Sequence, residues 1–313
     1  MIDLRQLRYF VAIADAGSVS RAALVLHIAQ PALSQQLAHL EREIGTKLLR
    51  RSVRGVAPTD AGKAVYRHAQ TLLKLAAETA DVARGAGTGA SGRVRIGTPS
   101  SIAMILAAPL LSALHTRHPG ILVELYESPS THLAAQLLEE RVDLSVLVDR
   151  APSPSLIVEP LVSESIYFVH TRRGDPFARH DSVSITQLTA IPMILTTRAT
   201  TLRHLVDEAY AQAAVAPSVI AEASSIQTLL TVVAQGGIGT VVPYSALSFH
   251  PATRALARHL VTPRILRNAS LAWSRTAAMT EPTQHLRDTV LDVTRSLVTS
   301  GTWEGATLLA RNN

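Results

Sequence analysis

The chain has 313 residues, a length that suits two or three domains, and 47% of them are hydrophobic, enough to bury a core. It contains no cysteine, which excludes disulfides, thiolate metal sites and cysteine nucleophiles. The N-terminus lacks the apolar stretch of a signal peptide. The longest apolar run, residues 102–114, is broken by Pro109 and is shorter than the about 20 residues of a membrane span. We therefore expect a cytoplasmic protein with no membrane partner.

The net charge of +6 is concentrated at one end of the chain. Residues 1–90 hold 12 Lys and Arg against 7 Asp and Glu, a net charge of +5, whereas the remaining residues hold 18 against 17. A basic end on a near-neutral body indicates a module for a polyanion joined to a module with another task. A random excess of basic surface residues is the alternative.

The first part of the chain predicts a helix-turn-helix followed by a small hairpin. Apolar residues at helical spacing predict a helix over residues 4–16 and a second helix capped by Ser18. A third helix follows, with Gln30 as its cap and Pro31 at its first helical position. Residues 47–58 consist of short apolar pieces around a basic turn, which predicts a hairpin.

The third helix and the hairpin carry the candidate DNA contacts. If the leucines of this helix face inward, Ser34 and Gln35 face outward, where Gln pairs with the adenine edge and Ser bonds several bases. Arg50, Arg51 and Arg54 lie where a wing meets phosphates. An ordinary three-helix packing unit is the alternative, and the basic hairpin and the charge asymmetry disfavour it.

A long helix, capped by Thr59, is predicted to continue to residue 86. Small and apolar residues recur along it at alternating spacings of four and three, which predicts a coiled-coil seam between two chains. The predicted seam residues are Val65, Ala69, Leu72, Ala76, Thr79 and Ala83. The Gly-rich residues 85–92 are a linker by composition.

Beyond the linker, strand-like and helix-like runs alternate, which predicts βαβ units and a mostly parallel sheet in an α/β domain. The strand-like runs are 93–97, 121–126, 143–148, 192–196, 218–222 and 238–242, and the helix-like runs are 101–116, 131–140, 201–213, 225–235 and 282–298. Hydroxyl residues follow several of these strands, at the sheet edge where ligands bind in open α/β sheets.

The hydroxyl cluster is a candidate effector site, although each member taken alone is equally well a helix N-cap. Its predicted residues are Ser100, Ser101, Ser130, Thr196 and Thr197. The cluster contains no fixed acid and Arg198 adjoins it, which favours a small anion or a polar neutral ligand over a cation.

Three other motif matches are set aside. Residues 87–92 fit GxGxxG, but they follow a helix and precede a strand, the reverse of a dinucleotide-binding context. The two histidines of residues 115–118 lack a surrounding zinc motif and are expected to face solvent. The glycines of residues 236–239 predict a helix end and a tight turn rather than a phosphate cradle. We expect neither a metal nor a cofactor.

Two rival classes of protein are an enzyme and a solute-binding protein. Acidic residues of the α/β part include Asp143, Asp149, Asp207 and Glu208, but no nucleophile elbow, metal motif or cofactor loop organises them. A solute-binding protein for transport needs an export signal, which the sequence lacks.

The segments "SVSRAALVLHIAQPALSQQLAHLEREIGTKLLRR" and "RGVAPTDAGKAVYRHA" resemble the DNA-binding end of the LysR-type transcriptional regulators. The pattern over residues 92–298 also fits the regulatory domain of that family. Within the family, "HIAQPALSQQ", "TDAGK" and "LRHLVDEA" are most similar to the branch of the nitrogen assimilation control regulator.

The resemblance implies an all-α-type winged helix-turn-helix, a long linker helix that dimerises, and a two-lobed α/β regulatory domain like type II periplasmic binding proteins. It places Gln30, Pro31, Ser34 and Gln35 at the family's base contacts and Arg54 on the wing. The family often has Arg at the position of Gln35, so the family's target sequence does not carry over to this chain, and we expect a weaker phosphate contact at this position.

Together these patterns predict a DNA-binding transcriptional regulator without catalytic activity, which binds double-stranded promoter DNA as a homodimer or homotetramer. The predicted parts are a DNA-binding domain (1–58), a linker helix and hinge (59–91), an effector-binding domain (92–298) with lobes 92–163 plus 266–298 and 164–265, and a C-terminal tail (299–313). A small-molecule effector and RNA polymerase are its candidate further partners. Since some family members respond to no small molecule, a vestigial cleft is the alternative.

Overall fold

The computed structural model describes residues 2–52, 55–85, 90–149, 153–248 and 256–310, without the side chains of residues 74, 77, 78 and 80–85. The chain divides into two compact units, one of residues 1–92 with 276–278 and one of residues 93–275 with 279–313. The first is called the N-terminal unit and the second the regulatory unit.

The N-terminal unit contains four helices and a hairpin. Their bounds are α1 Leu4–Ala16, α2 Val19–Val25, α3 Gln30–Ile44, β1 Leu49–Ser52, β2 Gly55–Pro58 and α4 Asp60–Gly85. The predicted helices and hairpin are confirmed, as is the Ser18 cap, whose side chain accepts the Arg21 N–H. The predicted Gln30 cap is wrong. Ala29 holds that position and Gln30 is already helical, because the missing N–H of Pro31 costs nothing anywhere in the first turn.

The core of the N-terminal unit joins α1, α2 and α3 to the start of α4. Phe10, Leu33 and Leu40 are fully buried, and the Phe10 ring meets the Tyr66 ring of α4 edge to face, with centroids 6.4 Å apart. Gly62 lets α4 approach the hairpin, since a Cβ there would clash with the carbonyl oxygen that precedes β1.

The elements after the linker alternate between strands and helices. Their bounds are β3 Ser91–Thr98, α5 Ser100–Arg117, β4 Gly120–Glu127, α6 Ser130–Leu138, β5 Leu144–Val148, β6 Leu156–Thr171, β7 Ser182–Ser184, β8 Pro192–Thr196, α7 Thr201–Gln212, β9 Ser218–Ala223, α8 Ile226–Ala234, β10 Thr240–Pro243, β11 Leu256–Thr262, β12 Leu266–Ser274, α9 Glu281–Thr299 and β13 Ala306–Leu308.

The main sheet is mixed, so the expected mostly parallel sheet is wrong. Its order is β4-β3-β5-β12-β6-β11-β7, with β10 and β13 also paired to β6, and every pair that β6 makes is antiparallel. Parallel pairing joins β3 to β5, β8 to β9 and β7 to β11. The sequence pattern missed β6 because polar residues and Pro160 interrupt it; Pro160 lies where the β6–β12 register shifts, a position that tolerates proline.

Strand β6 passes from one half of the regulatory unit to the other. Up to Ser165 it pairs with β12, and from Ile166 it pairs with β10 and then with β11. The half with β3–β5, α5, α6, α9 and β12 is called the first lobe, and the half with β7–β11, α7 and α8 the second lobe. The second lobe has its own core, built on Phe168, Leu229 and Val242.

The predicted C-terminal tail is part of the fold as far as the structure describes it. Trp303 is 2% exposed, and β13 pairs with β6 at Val162–Glu164. Residues 301–309 are called the C-terminal segment. A single buried tryptophan and a three-residue strand anchor this segment. Such an anchor is too short to produce a helical or alternating pattern in the sequence.

Candidate DNA-binding surface and ligand cleft

Helix α3 buries one face and presents the opposite face to solvent. Leu33, Leu37 and Leu40 are at most 6% exposed, which fixes the rotation of the helix. Of the predicted base contacts, Gln30, Pro31 and Gln35 are exposed and Ser34 is half-buried. The exposed stripe continues through Ala38 to Arg42, whose Nε donates to the carbonyl of Ala38 at 3.3 Å.

Sequence reasoning missed Arg42, although its spacing of seven residues from Gln35 places it on the same helix face. It also missed Arg21, which is exposed in the first turn of α2. Both are cations on the helices of the helix-turn-helix and are candidates for phosphate contacts.

Glu41 fastens the start of the hairpin to α3. Its Oε1 accepts the N–H groups of Leu48 and Leu49 at 2.9 and 3.2 Å, and its Oε2 accepts from Lys47 Nζ at 2.6 Å. Burial opposes ionisation, but these hydrogen bonds and the Lys47 charge outweigh it and lower the pKa of Glu41. The carboxylate therefore holds the two-stranded wing in a defined position beside α3.

The wing presents basic side chains to solvent. Arg50 and Arg51 are exposed on β1, and Arg54 lies outside the described residues. Thr59 anchors the other end of the wing, because its Oγ1 donates to the Lys47 carbonyl at 2.8 Å and accepts the Gly62 N–H at 2.9 Å.

Helix α4 packs its first turns into the N-terminal unit, which corrects part of the predicted seam. Ala69 is 1% exposed and Val65 packs against the same core, so Ala69 is not free to meet a second chain. The exposed apolar residues are Leu72 at 48% and Leu75 at 42%. Among the other predicted seam residues, Ala76 is half-buried, Thr79 is exposed and the side chain of Ala83 lies outside the described residues.

The regulatory unit contains a cleft of about 180 Å³ between its two lobes. Four of the five predicted effector residues line it: Ser100, Ser101, Ser130 and Thr196. Thr197 does not, because side chains alternate along a strand and its N–H continues the β8–β9 ladder to Ala223 O at 3.2 Å.

Four helices begin at this cleft, since the first residues of α5, α6, α7 and α8 all line it. In the first lobe the tetrapeptides 98–101 and 128–131 have the same pattern, a hydroxyl residue, Pro and two hydroxyl residues, after β3 and β4. The prolines are the N-caps and provide no side-chain bond, so the first N–H groups of α5 and α6 are left for a ligand. Helix N-termini favour anions.

The charges of the cleft differ from the sequence expectation. Glu127 lines it, so the expected absence of an acid is wrong, and Arg198 is outside the lining and 80% exposed. The lining cation is Arg267, 3% exposed and paired with Glu164. Asp149 lies near this ion pair, and burial raises the pKa of its carboxyl group. Its Oδ1 accepts the Asn268 N–H at 2.8 Å.

A second buried arginine supports the wall of the cleft in the second lobe. Arg203 donates to the Thr196 carbonyl at 3.0 Å, to Glu222 at 2.7 Å and to Asp207 at 2.8 Å. Thr200 Oγ1 donates to Thr196 Oγ1 at 2.9 Å. These bonds hold the end of β8 against the start of α7. No sequence pattern pointed to Arg203, because its partners are brought together only by the fold.

The glycine and histidine motifs that were not assigned a function have structural roles in the described part of the chain. Gly236 and Gly237 have positive φ in the turn after α8, which confirms the predicted turn. His115 is exposed as expected, but His118 is half-buried and its ring lies 3.8 Å from that of His285, so the expectation for His118 is wrong. Of the GxGxxG match, residues 87–89 lie outside the described residues.

Comparisons with known proteins agree with both units. Residues 4–63 match the model of the bacterial regulatory helix-turn-helix protein, lysR family, and residues 87–295 match the LysR substrate binding domain. The nitrogen assimilation regulatory protein nac of Klebsiella aerogenes is 36% identical over 93% of this chain and 95% of its own length.

Solved structures show the same architecture. A full-length variant of OxyR from Pseudomonas aeruginosa matches with a TM-score of 0.71 and 25% identity, covering 94% of this chain and 95% of that chain. Full-length CbnR in complex with its target DNA matches with a TM-score of 0.63 and 22% identity, covering 94% and 99%.

A winged helix-turn-helix joined by a long helix to a two-lobed α/β unit defines a class of DNA-binding regulators. The chain belongs to the LysR family of transcriptional regulators. Its function is therefore DNA-binding regulation of transcription rather than catalysis. Within the described part of the chain, every helix is too short or too polar to cross a bilayer.

Proposed function

We propose that the chain reads promoter DNA through α3 and the wing and is controlled by a small anion or polar molecule bound between its lobes. The convergence of four helix N-termini on one cleft carries this proposal. The open N–H groups of α5 and α6 and the guanidinium of Arg267 favour negative charge there. Glu127 at the same cleft favours a ligand that also carries a donor.

A thermal-shift screen of anionic and polar metabolites tests the cleft. A ligand at 100 times its dissociation constant adds about 2.7 kcal/mol to the free energy of unfolding. Thr196→Val combined with Ser100→Ala should abolish this shift. Thr197→Val is the matched control, because Thr197 adjoins Thr196 but does not line the cleft, and it should keep the shift. A responding ligand whose shift survives the double substitution would place the site elsewhere.

On the DNA side, we propose that Gln30, Pro31, Ser34 and Gln35 contact bases while Arg50, Arg51 and Arg54 hold phosphates. Gln30, Pro31 and Gln35 are exposed on one face of α3, with the half-buried Ser34 on the same face. Arg50 and Arg51 are exposed on the wing, which supports this division of roles. Gel shifts of Gln35→Ala and Arg50→Ala with operator and random DNA test this division.

For assembly, we propose a homodimer joined along α4, with a tetramer as the further state implied by the family resemblance. The exposed Leu72 and Leu75 support it, since two large apolar side chains three residues apart lie on one helix face. Pairing of two chains also gives two DNA-reading heads at a set distance, so a change in the regulatory unit can alter that distance and the bend of the promoter.

A regulator whose cleft binds no small molecule is the second candidate. The small volume of the cleft and the internal pairing of Arg267 favour it. Failure of the screen with a broad anion panel, together with unchanged promoter activity of the Ser100→Ala and Thr196→Val double variant in cells, would establish this second candidate.

The likeness to the nitrogen assimilation regulatory protein of Klebsiella aerogenes supports a role in the control of nitrogen assimilation. We further propose that the protein works in the cytoplasm and in contact with RNA polymerase, as expected of a DNA-binding transcriptional regulator. Genome-wide mapping of bound sites under nitrogen excess and limitation tests this assignment. Bound promoters that are unrelated to nitrogen supply would reject it.

A further inference from the structure

A buried ion pair lies between the cleft and the C-terminal segment. Glu164 of β6 is fully buried and faces Arg267 of β12, which is 3% exposed. The Nε and Nη2 atoms of Arg267 are 2.7 and 2.6 Å from Glu164 Oε1. A pair this deeply buried is stable only if further hydrogen bonds satisfy its remaining donors and acceptors.

Those hydrogen bonds come from three parts of the regulatory unit. Arg267 Nη2 donates to Ser101 Oγ of the first lobe at 2.9 Å and to Ser245 Oγ of the second lobe at 3.0 Å. Trp303 Nε1 of the C-terminal segment donates to Glu164 Oε2 at 3.0 Å. The ion pair therefore contacts both lobes and the C-terminal segment at once.

The C-terminal segment lies on β6 where this strand passes between the lobes. The Ser165 N–H donates to the Gly305 carbonyl at 3.0 Å, and β13 pairs with the residues just before. Gly305 has φ +69°, and a Cβ there would clash with Tyr167 Oη, so the segment fits its place closely. Its packing is sensitive to small shifts of β6.

Arg267 also lines the cleft, whereas Trp303 does not. An anion in the cleft would attract the Arg267 guanidinium and compete with Glu164 for it. Glu164, being buried, would then depend more on its other donors, Trp303 Nε1 and the backbone N–H and hydroxyl of Ser245. A change at the cleft would thereby reach the C-terminal segment.

We propose that Glu164 and Arg267 form a relay through which an anion in the cleft changes the packing of the C-terminal segment, an inference that rests on the proposed function of the cleft. Arg267 contacts the anion and Glu164 is a positioning residue. Because such coupling is reciprocal, a change in the C-terminal segment must also alter the affinity of the cleft for the anion.

Hydrogen exchange of the intact protein tests the relay without any ligand. Arg267 bonds Ser101, Glu164 and Ser245 at once. Arg267→Lys should speed exchange of the C-terminal segment at least about tenfold, because a single ammonium keeps the charge but not the forked guanidinium contacts to all three partners. Arg203→Lys is the matched control, since Arg203 is equally buried and ion-paired but lies off the relay. It should leave exchange of the segment unchanged.

Equal exchange of the C-terminal segment in the wild type and Arg267→Lys would overturn the relay, as would equal acceleration by Arg203→Lys. If Arg267→Lys fails to fold, the double variant Glu164→Leu, Arg267→Met removes both charges at similar volume. It should then fold and accelerate exchange of the segment, and unchanged exchange would again overturn the relay.

Fluorescence separates failure of the relay from failure of the cleft. The chain has two tryptophans, so Trp273→Phe leaves Trp303 as the sole reporter. Sodium acetate and sodium succinate are the probes, with sodium chloride at equal ionic strength as the reference. A probe that raises the melting temperature should change Trp303 emission, and Glu164→Gln should remove that change. A probe that raises the melting temperature without moving Trp303 emission rejects the relay and retains the cleft.

Discussion

At the scale of single residues, the N-terminal unit separates exposed side chains, which are proposed to contact DNA, from buried side chains that hold the wing in place. Gln35 is exposed on α3, whereas Glu41, six residues later, is buried and bonds the hairpin. Both are polar and both lie on the same helix. They differ in their angular position around the helix relative to the buried leucine stripe, which exposes Gln35 and buries Glu41.

Gln35→Ala should weaken binding to the specific operator by about 1–3 kcal/mol and relax selectivity at one base pair, because a base-edge hydrogen bond is lost. Gel shifts with operator and random DNA measure both effects. Gln36→Ala on the same helix is the control, as Gln36 is half-buried and off the exposed stripe. Equal weakening on operator and random DNA would contradict the assignment of Gln35 to base reading.

Glu41→Gln should lower the free energy of local opening of the wing by about 1.5–3 kcal/mol at neutral pH. The reason is that the charged acceptor of hydrogen bonds from Lys47 and from the Leu48 and Leu49 amides is lost. The folded pKa is lowered below 4.5, so the carboxylate stabilises the wing above pH 4.5, and this stabilisation is lost as the pH falls through the folded pKa. Hydrogen exchange of residues 45–52 measures this stabilisation, once the observed rates are corrected for the pH dependence of the intrinsic exchange rate.

The difference between wild type and Glu41→Gln should therefore shrink from pH 7 toward pH 3. Glu43→Gln serves as the control, because Glu43 lies on the same helix and faces His39 instead, and it should change exchange of this peptide little at any pH. A difference that grows on acidification would disprove the role given to Glu41.

At the scale of elements, helix α4 is buried in the N-terminal unit along its first turns and exposes apolar side chains further along. Its first turns complete the core of the N-terminal unit through Tyr66 and Ala69, and Tyr66 Oη donates to Asp15 of α1. Gln70 Nε2 donates to Tyr66 Oη at 2.8 Å. The apolar face then turns outward at Leu72 and Leu75. Tyr66 and Ala69 thus fasten the start of α4 to the N-terminal unit, and Leu72 and Leu75 are the exposed residues proposed to pair with a second chain.

Leu72→Glu should dissociate the dimer, because two like charges would be placed in one apolar seam at a cost of about 3–5 kcal/mol for each buried unpaired charge. Sedimentation velocity at micromolar concentration measures the assembly state. Arg67→Glu is the control, as it adds the same side chain at an exposed position about 140° around the helix from Leu72, and it should leave the proposed dimer intact. A Leu72→Glu protein that is still dimeric would show that the dimer seam does not lie on the face of Leu72 and Leu75.

At the scale of the whole molecule, charge and ligand chemistry are divided between the two units. The N-terminal residues carry most of the net charge, while the regulatory unit keeps buried charges in pairs such as Arg267 with Glu164 and Arg203 with Glu222. The first arrangement suits a long-range attraction to phosphates, and the second suits a short-range response to one small group.

Arg50→Ala should weaken binding to operator and random DNA alike and reduce the slope of log affinity against log salt by about one per head, because one released counterion is lost. Arg295→Ala removes the same charge from an exposed position of α9 and should leave the slope unchanged. Equal slopes for Arg50→Ala and wild type would show that the wing does not meet phosphates.

How much the sequence predicts differs between the two units. In the N-terminal unit every helix and the hairpin follow from local signals: the spacing of apolar residues, the Ser18 cap and the basic turn between the short apolar pieces of the hairpin. In the regulatory unit the same reasoning found six strands, β3, β4, β5, β8, β9 and β10. It missed β6 and β12, whose buried Glu164 and Arg267 are satisfied only by contacts across strands.

The sequence by itself determined the class of protein, the exposed face of the helix proposed to read DNA, and most of the cleft hydroxyls, because helix periodicity, caps and strand ends are local properties. Only the tertiary structure decided which α4 residues are free, which cation lines the cleft and that residues 301–309 belong to the fold. Each of these depends on contacts between residues far apart in the chain. Such contacts leave no spacing in the sequence, so Ala69, Arg267 and Trp303 acquire their roles from packing alone.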